Sequence, residues 1–241
     1  MWTRTELKEK AKEILKNSYW KAFLVSLIIA FVGGVRGGSG GYGSAFNRGS
    51  NYPGIHTIRY DLLPIFIAVF LFIFIIILCL RIFLGYPLEV GGRRYFVRAA
   101  ENDVNFNYLG MGFAKGSYIS IVQTMFWRSI LNFLWYLLLI IPGIIKYYAY
   151  SMVPYILGDN PNIGYKRAVE LSKQMTHGHK FNMWVLDLSF LGWYLLGVLA
   201  CCVGVLFVTP YDNATKAELY RVLRNEAINT GISSYAELLL N

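Results

Sequence analysis

Residues 62–80 read LLPIFIAVFLFIFIIILCL, and this stretch decides the fold. It runs for nineteen residues without a charge. Because an α-helix rises 1.5 Å per residue, the stretch matches the hydrocarbon core of a bilayer, which is about 30 Å thick. The segment therefore predicts a transmembrane helix.

The composition of the whole chain agrees with this interpretation. Of its residues, 56% are hydrophobic and only 15% are charged, whereas soluble domains carry about 25% charged residues. Apolar stretches also recur along the full length, which leaves no room for a separate soluble domain of about 100 residues. We therefore expect a single integral membrane domain over residues 1–241, and no N-terminal signal peptide, because some twenty mostly polar residues precede the first apolar run.

Further apolar stretches predict about six spans in an all-α, polytopic transmembrane helix bundle. The region 181–211 has one charge, Asp187, and as a single helix it would be about 46 Å long, so a hairpin around 197–204 is preferred to one span. Pro142 and Gly143 are expected to end the helix before them. The predicted spans cover about 20–35, 62–80, 118–140, 144–157 and two helices within 181–211.

The net charge of +9 indicates membrane orientation rather than a nucleic-acid partner, because Lys and Arg mark the cytoplasmic side of membrane proteins. Basic residues cluster in the segments after residue 80, around 160–180 and after 212. The glycine-rich segment 36–60 is poorer in charge and predicts a flexible external loop. Both termini, including a C-terminal helix over 212–241, are therefore expected in the cytoplasm, with the protein in the cell membrane.

Two basic amphipathic helices are expected on the inner membrane surface. Residues 1–18 open with Thr3 and Glu6 at the spacing of a capping box, and the segment 160–180 follows the same basic pattern. Glu89 and Arg93 stand four residues apart, which favours a further surface helix. Their partners would be anionic lipid headgroups of the inner leaflet. The predicted headgroup contacts are Lys8, Lys12, Lys16, Arg93, Arg94, Lys166 and Arg167.

Several polar side chains fall inside predicted spans. Arg128 and Asn132 lie on one helix face, and ionisable residues at this depth usually mark function or pair with one another. Because Arg128 and Asp187 are predicted at similar depth, we expect them to pair, either as a structural clamp or in a ligand or proton path. Lys146 is expected near the external interface. The residues of the candidate path are Arg128, Asn132, Lys146, Tyr150 and Asp187.

Catalytic and metal chemistry find little support in the sequence. There is no HExxH motif, and the three histidines lie in predicted loops; the pair His177 and His179 is a weak metal signal without a third ligand. The cysteines Cys79, Cys201 and Cys202 lie in apolar runs, where they act as small apolar residues. We expect no enzymatic activity, metal or cofactor.

The sequence resembles the domain-of-unknown-function 975 family of multi-pass membrane proteins, found mostly in Gram-positive bacteria. The resemblance lies in "PLEVGGRRYF" (87–96), "IPGIIKYYAYSMVPYILGDNPNIGYKRAVELSKQM" (141–175), "LDLSFLGWYLLG" (186–197) and "TPYDNATKAELY" (209–220). It implies a multi-pass membrane fold and transfers no catalytic residue. A fainter similarity is to the membrane domain of glycerophosphodiester phosphodiesterases, whose catalytic barrel has no counterpart here.

Three functions remain open from the sequence. The first is a non-enzymatic membrane protein that handles or senses an amphiphile, either a lipid or an antimicrobial peptide, at the bacterial envelope. The second is an accessory subunit that scaffolds a partner membrane protein. The third is a transporter with a proton-coupled polar path.

Overall fold

The computed structural model describes residues 3–33, 63–199 and 203–240, and within these ranges the regular structure is helical, with no strand. The predicted external loop 36–60 and the residues Cys201 and Cys202 lie outside them. The α-helices are α1 (Arg4–Gly33), α2 (Leu63–Leu80), α3 (Tyr86–Ala100), α4 (Asn107–Gly110), α5 (Tyr118–Leu138), α6 (Ile140–Ala149), α7 (Val153–Asp159), α8 (Tyr165–Met175), α9 (Lys180–Leu199) and α10 (Val203–Asn229).

Helix α1 begins where the capping box predicts. The backbone N–H of Glu6 donates to Thr3 Oγ1 at 3.3 Å, which satisfies one of the free donors of the first turn. The helix then continues for 30 residues, so the predicted surface helix 1–18 and the first span are one continuous element. Its buried side chains include Leu7, Ala11, Leu15, Ala22 and Val25.

Helices α2 and α3 are joined without a loop. A π-helical turn, Arg81–Gly85, connects them, and the N–H of Tyr86 bonds to the carbonyl of Arg81. Pro87 follows at once, and because proline lacks an N–H and crowds the preceding turn, it explains why the bonding register changes there. The predicted span at 62–80 is confirmed as a helix, and its C-terminal end continues through the π-helical turn into α3.

The two halves of this long helix have opposite surroundings. Every side chain from Pro64 to Leu80 is exposed, whereas α3 is the central helix of the fold and packs against α1, α5, α7 and α10. Glu89 and Arg93 are only 5% and 7% exposed. The prediction of a surface helix at this point is therefore wrong: the helix is present, but its charged residues face neighbouring helices.

The break between α5 and α6 lies three residues before the predicted one. Leu139 is extended (φ −160°, ψ 143°), and Pro142 lies in the first turn of α6, where a missing N–H costs nothing. Helices α5 and α6 pack closely, since a Cβ on Gly143 would come within 2.7 Å of the Tyr136 ring.

The predicted span 144–157 is wrong as a single helix. Residues 150–152 form a turn after α6, and α7 starts at Val153 with Pro154 in its first turn. All seven residues of α7 are buried inside the protein, so this segment presents no side chain to lipid.

The predicted hairpin in 181–211 is confirmed. Helices α9 and α10 pack together, and a Cβ on Gly197 would approach the backbone nitrogen of Val205 to 2.7 Å. Farther from the turn, the rings of Phe190 and Tyr211 meet at 5.2 Å between centroids.

Two helices in the described ranges are long and apolar enough to cross a membrane, Pro64–Ala100 and Lys180–Leu199. Exposed apolar side chains also concentrate where α5 and α6 meet, including Leu137, Leu138 and Ile140. The structure thus supports an all-helical protein with an affinity for membranes. These two helices do not establish the predicted count of about six spans.

Replacing Gly91 by Ala should destabilise the fold. A Cβ there would lie 2.4 Å from the carbonyl oxygen of Leu109, a backbone atom that cannot swing away. We expect the free energy of unfolding to fall by about 1–3 kcal/mol, measured by denaturation in detergent. Gly110→Ala is the matched control, because nothing lies within 4 Å of the added carbon; equal stability of the two variants would contradict the packing.

Candidate functional site

Arg128 and Asp187 have separate ionic partners. Arg128 on α5 lies 3.9 Å from Glu89 on α3, and both side chains are almost fully buried. Asp187 on α9 lies 3.1 Å from the ammonium of Lys216 on α10. The predicted pairing of Arg128 with Asp187 is therefore wrong, because depth along two helices does not determine which helices are neighbours.

Asp187 belongs to a polar cluster between α6, α9 and α10. Lys216 lies 3.0 Å from Asp212 as well as contacting Asp187. Tyr148 donates a hydrogen bond to Asp187 at 2.9 Å, and Tyr194 donates to Asp212 at 3.1 Å. The ammonium of Lys216 and the two tyrosine hydroxyls thus contact both carboxylates, and these contacts hold α6 against the α9–α10 hairpin.

A second polar cluster surrounds Arg93. Its guanidinium donates to Asn213 Oδ1 at 2.7 Å and to the hydroxyl of Tyr155 at 3.3 Å. The amide of Asn213 in turn donates to Ser26 on α1 at 3.0 Å. The predicted headgroup contact of Arg93 is wrong, since this side chain joins α1, α3, α7 and α10 in the interior.

A third cluster was missed from the sequence. The carboxylate of Asp159 accepts from Tyr220 at 2.6 Å and from Arg224 at 3.0 Å, and Arg224 also donates to Glu101 at 2.6 Å. Burial would lower the pKa of Arg224, but Asp159 and Glu101 raise it above its ordinary value. The sequence signal for this cluster was Asp159 at the end of the apolar run "YILGD", because a buried carboxylate needs an ionic or hydrogen-bonding partner.

Breaking this third cluster should be costly. Arg224→Met would leave Asp159, whose side chain is 2% exposed, without its cation, and loss of one partner of a buried ion pair costs about 3–5 kcal/mol. Thermal unfolding in detergent measures the loss. Lys10→Met is the control, because Lys10 and its partner Glu6 are each about half exposed and loss of their contact should cost below about 1 kcal/mol. A small effect of Arg224→Met would contradict the assignment.

The predicted headgroup contacts divide into two groups. Lys12, Lys16 and Lys166 are exposed, as a headgroup contact requires. Lys8, Arg94 and Arg167 have protein partners instead. The Lys8 ammonium lies 4.5 Å from the Phe190 ring centroid, and Arg94 bonds to the carbonyl of Gly158 at the end of α7.

Arg167 holds the C-terminal segment against α8. Its guanidinium makes two hydrogen bonds to Glu237, at 2.6 and 3.1 Å, and one to the carbonyl of Ile232 at 2.8 Å. The fully buried side chain of Leu238 completes the contact. The predicted lipid contact of Arg167 is therefore replaced by a contact within the chain.

This contact predicts a pH dependence. The hydrogen bond from Arg167 lowers the pKa of Glu237 below its ordinary value of 4.5. A lowered pKa stabilises the docked segment above pH 4.5, and this stabilisation is lost as the pH falls through the lowered pKa. Hydrogen exchange of residues 232–240, corrected for intrinsic rates, should show protection at pH 7 that falls in acid. Glu237→Gln should remove this pH dependence; an unchanged profile would contradict it.

Three residues of the predicted path gather around Trp135, which sequence reasoning did not single out. The Lys146 ammonium lies 4.6 Å from the centroid of its ring, and the Tyr150 hydroxyl interacts with its indole. Asn132 is one turn away on α5, and its buried Oδ1 has no hydrogen-bond partner among the described residues. The predicted path thus divides into two places: the Trp135 cluster here, and Arg128 and Asp187 elsewhere.

An apolar groove of about 500 Å³ adjoins this cluster. It is lined by Leu131, Leu134, Trp135, Leu137 and Leu138. Trp135 therefore lines the groove and also has the Lys146 ammonium against its ring. The face of an aromatic ring attracts a cation. We call these residues, together with Lys146, the Trp135 groove.

The predicted locations of Lys146 and of the segment 160–180 are not compatible. Lys146 was expected near the external interface and residues 160–180 in the cytoplasm, yet Ser172 donates a hydrogen bond at 2.8 Å to the carbonyl of Ala149, one turn after Lys146. The side of the membrane on which these residues lie stays a prediction.

His177 and His179 line a second groove of about 340 Å³, which lies between the end of α8, α10 and the segment after α10. His179 contacts Glu226 at 3.2 Å, and His177 is exposed nearby. Across the described ranges, no group of three His, Cys, Asp or Glu residues is arranged to hold a metal ion.

Comparison with known proteins assigns the family. Residues 57–227 match the family described as "Protein of unknown function (DUF975)", and because the match covers most of the chain, the protein belongs to this family. No curated protein and no solved structure matches the chain. The fainter similarity to the membrane domain of glycerophosphodiester phosphodiesterases stays a prediction.

Proposed function

We propose that this protein is a non-enzymatic, multi-pass membrane protein that binds an amphiphile in the Trp135 groove. The observation that carries the proposal is the groove itself: an apolar groove on α5, with the Lys146 ammonium over the ring of Trp135, one of its lining residues. Ligand sites of this kind combine a mostly apolar lining with a few polar groups that orient the ligand.

The membrane setting supports an amphiphile over a water-soluble ligand. The groove lies next to the junction of α5 and α6, where Leu138, Leu139 and Ile140 are more than half exposed. Such a surface is stable in lipid, where apolar side chains need no cover. A ligand entering from the bilayer would therefore reach the groove without crossing water.

We also propose the finer topology of about six membrane segments with both termini in the cytoplasm. Exposed apolar residues occur on α1 (Trp20, Leu24) and on α10 (Phe207) as well as on α2, α5, α6 and α9. The exposed lysines Lys12 and Lys166 lie on the segments that would face the cytoplasm, as the positive-inside rule requires.

Filling the groove should abolish binding. Leu131→Trp places a large ring among the lining residues, whereas Leu188→Trp on α9 adds the same ring to an exposed apolar surface. Native mass spectrometry counts phospholipid molecules that stay bound after detergent removal. We expect Leu131→Trp to weaken retention about tenfold, or about 1.4 kcal/mol, and Leu188→Trp to retain lipid like the parent.

Two results would contradict the proposal. Equal retention by Leu131→Trp and the parent protein would show that bound lipid lies elsewhere. No retained lipid in the parent protein would favour the alternative of an accessory subunit, whose polar residues only hold its helices together.

A further inference from the structure

The lysine of the Trp135 groove has two further lysines near it. The C-terminal ends of α6 and α8 are in contact, because Ser172 and Thr176 both donate hydrogen bonds to the carbonyl of Ala149, one turn after Lys146. The charges of Lys173 and Lys180 reach Lys146 across this contact. These lysines come from three different helical elements, which the fold brings together. Among the described residues, no carboxylate lies within 4 Å of any of the three.

Acidic side chains of the same helices are engaged elsewhere. Glu226 contacts His179 at 3.2 Å, and Asp187 is held by Lys216 and Tyr148. Glu170 accepts a hydrogen bond from Gln174 on its own helix. These acidic side chains are therefore bound to other groups, and Lys146, Lys173 and Lys180 have no carboxylate partner among the described residues.

Like charges held together destabilise a fold unless an anion joins them. Lysine is a common phosphate ligand, acting as a compact point charge that does not demand one fixed geometry. Lys173 is exposed, and Lys146 and Lys180 are half-buried, so an anion can reach the cluster from the side of α8.

From this juxtaposition we infer that the ligand is an anionic phospholipid, with its phosphate among Lys146, Lys173 and Lys180 and an acyl chain in the Trp135 groove. The inference rests on the proposed function and names the chemical class of its ligand. Free phosphate would satisfy the lysines but leave the groove open, and a zwitterionic lipid would bring a second cation to the cluster. An anionic phospholipid supplies both a phosphate for the lysines and an acyl chain for the groove.

The test compares two phospholipids with identical acyl chains, phosphatidylglycerol and phosphatidylcholine, by native mass spectrometry of the full chain. We expect the parent protein to retain the anionic lipid about tenfold more tightly. Lys146→Gln and Lys173→Gln should each reduce this preference severalfold, while retention of phosphatidylcholine stays unchanged. Lys115→Gln is the matched control, because it removes one exposed positive charge outside the cluster and outside the predicted headgroup contacts. Lys173→Gln alters an exposed side chain, so it tests the inference even if Lys146→Gln fails to fold.

The outcomes separate the inference from the proposed function. Equal retention of both lipids by the parent protein would overturn the anionic headgroup but leave the amphiphile site intact. The same loss in Lys115→Gln as in Lys173→Gln would also overturn it, since general surface charge would then explain the preference. Full displacement of the lipid by inorganic phosphate would overturn the choice of a phospholipid. If the parent protein retains no lipid at all, the proposed function itself is contradicted.

Discussion

The buried carboxylate of Asp159 is the constraint on which the polar part of the structure depends. It lies at the end of α7, a seven-residue helix buried along its whole length, and it accepts hydrogen bonds from Tyr220 and Arg224 on α10. Arg94 on α3 binds the neighbouring carbonyl of Gly158. Since a buried charge is stable only when it is paired and hydrogen-bonded, these contacts fix α7 between α3 and α10.

The position of α7 also sets the geometry of the candidate site. Only three residues separate the end of α6 from the start of α7, so fixing α7 fixes the short helix that carries Lys146. Lys216 secures α6 from the other side, because Tyr148 on α6 donates to the carboxylate of Asp187, which Lys216 neutralises. The helix that carries the lysine beside Trp135 is thus held by two polar clusters, neither of which includes that lysine. Preorganisation of this kind lowers the free energy lost on binding.

The sequence predicted those elements whose local signal is strong. The uncharged stretch at 62–80, the capping box at Thr3 and the length of 181–211 each indicate structure through nearby residues alone. The partners of Arg128 and Asp187 depend on which helices pack together, and hydropathy contains no such information. Arg93 was misplaced because its spacing from Glu89 fits an exposed and a buried helix face equally well. Trp135 was overlooked because an aromatic residue in an apolar run is ordinary, and only the fold brings Lys146 over its ring.

The central claim is that the Trp135 groove is a specific lipid site and not ordinary lipid-covered surface. Helix α2 is exposed on every side, so its labelling by lipid is the reference for non-specific contact. A diazirine-bearing phosphatidylglycerol, photolysed with the protein in vesicles and mapped by peptide mass spectrometry, tests this most directly. We predict labelling of both residues 131–138 and residues 64–80, with excess unlabelled phosphatidylglycerol removing label from 131–138 alone. Equal competition at the two segments, or label confined to 64–80, would contradict the account.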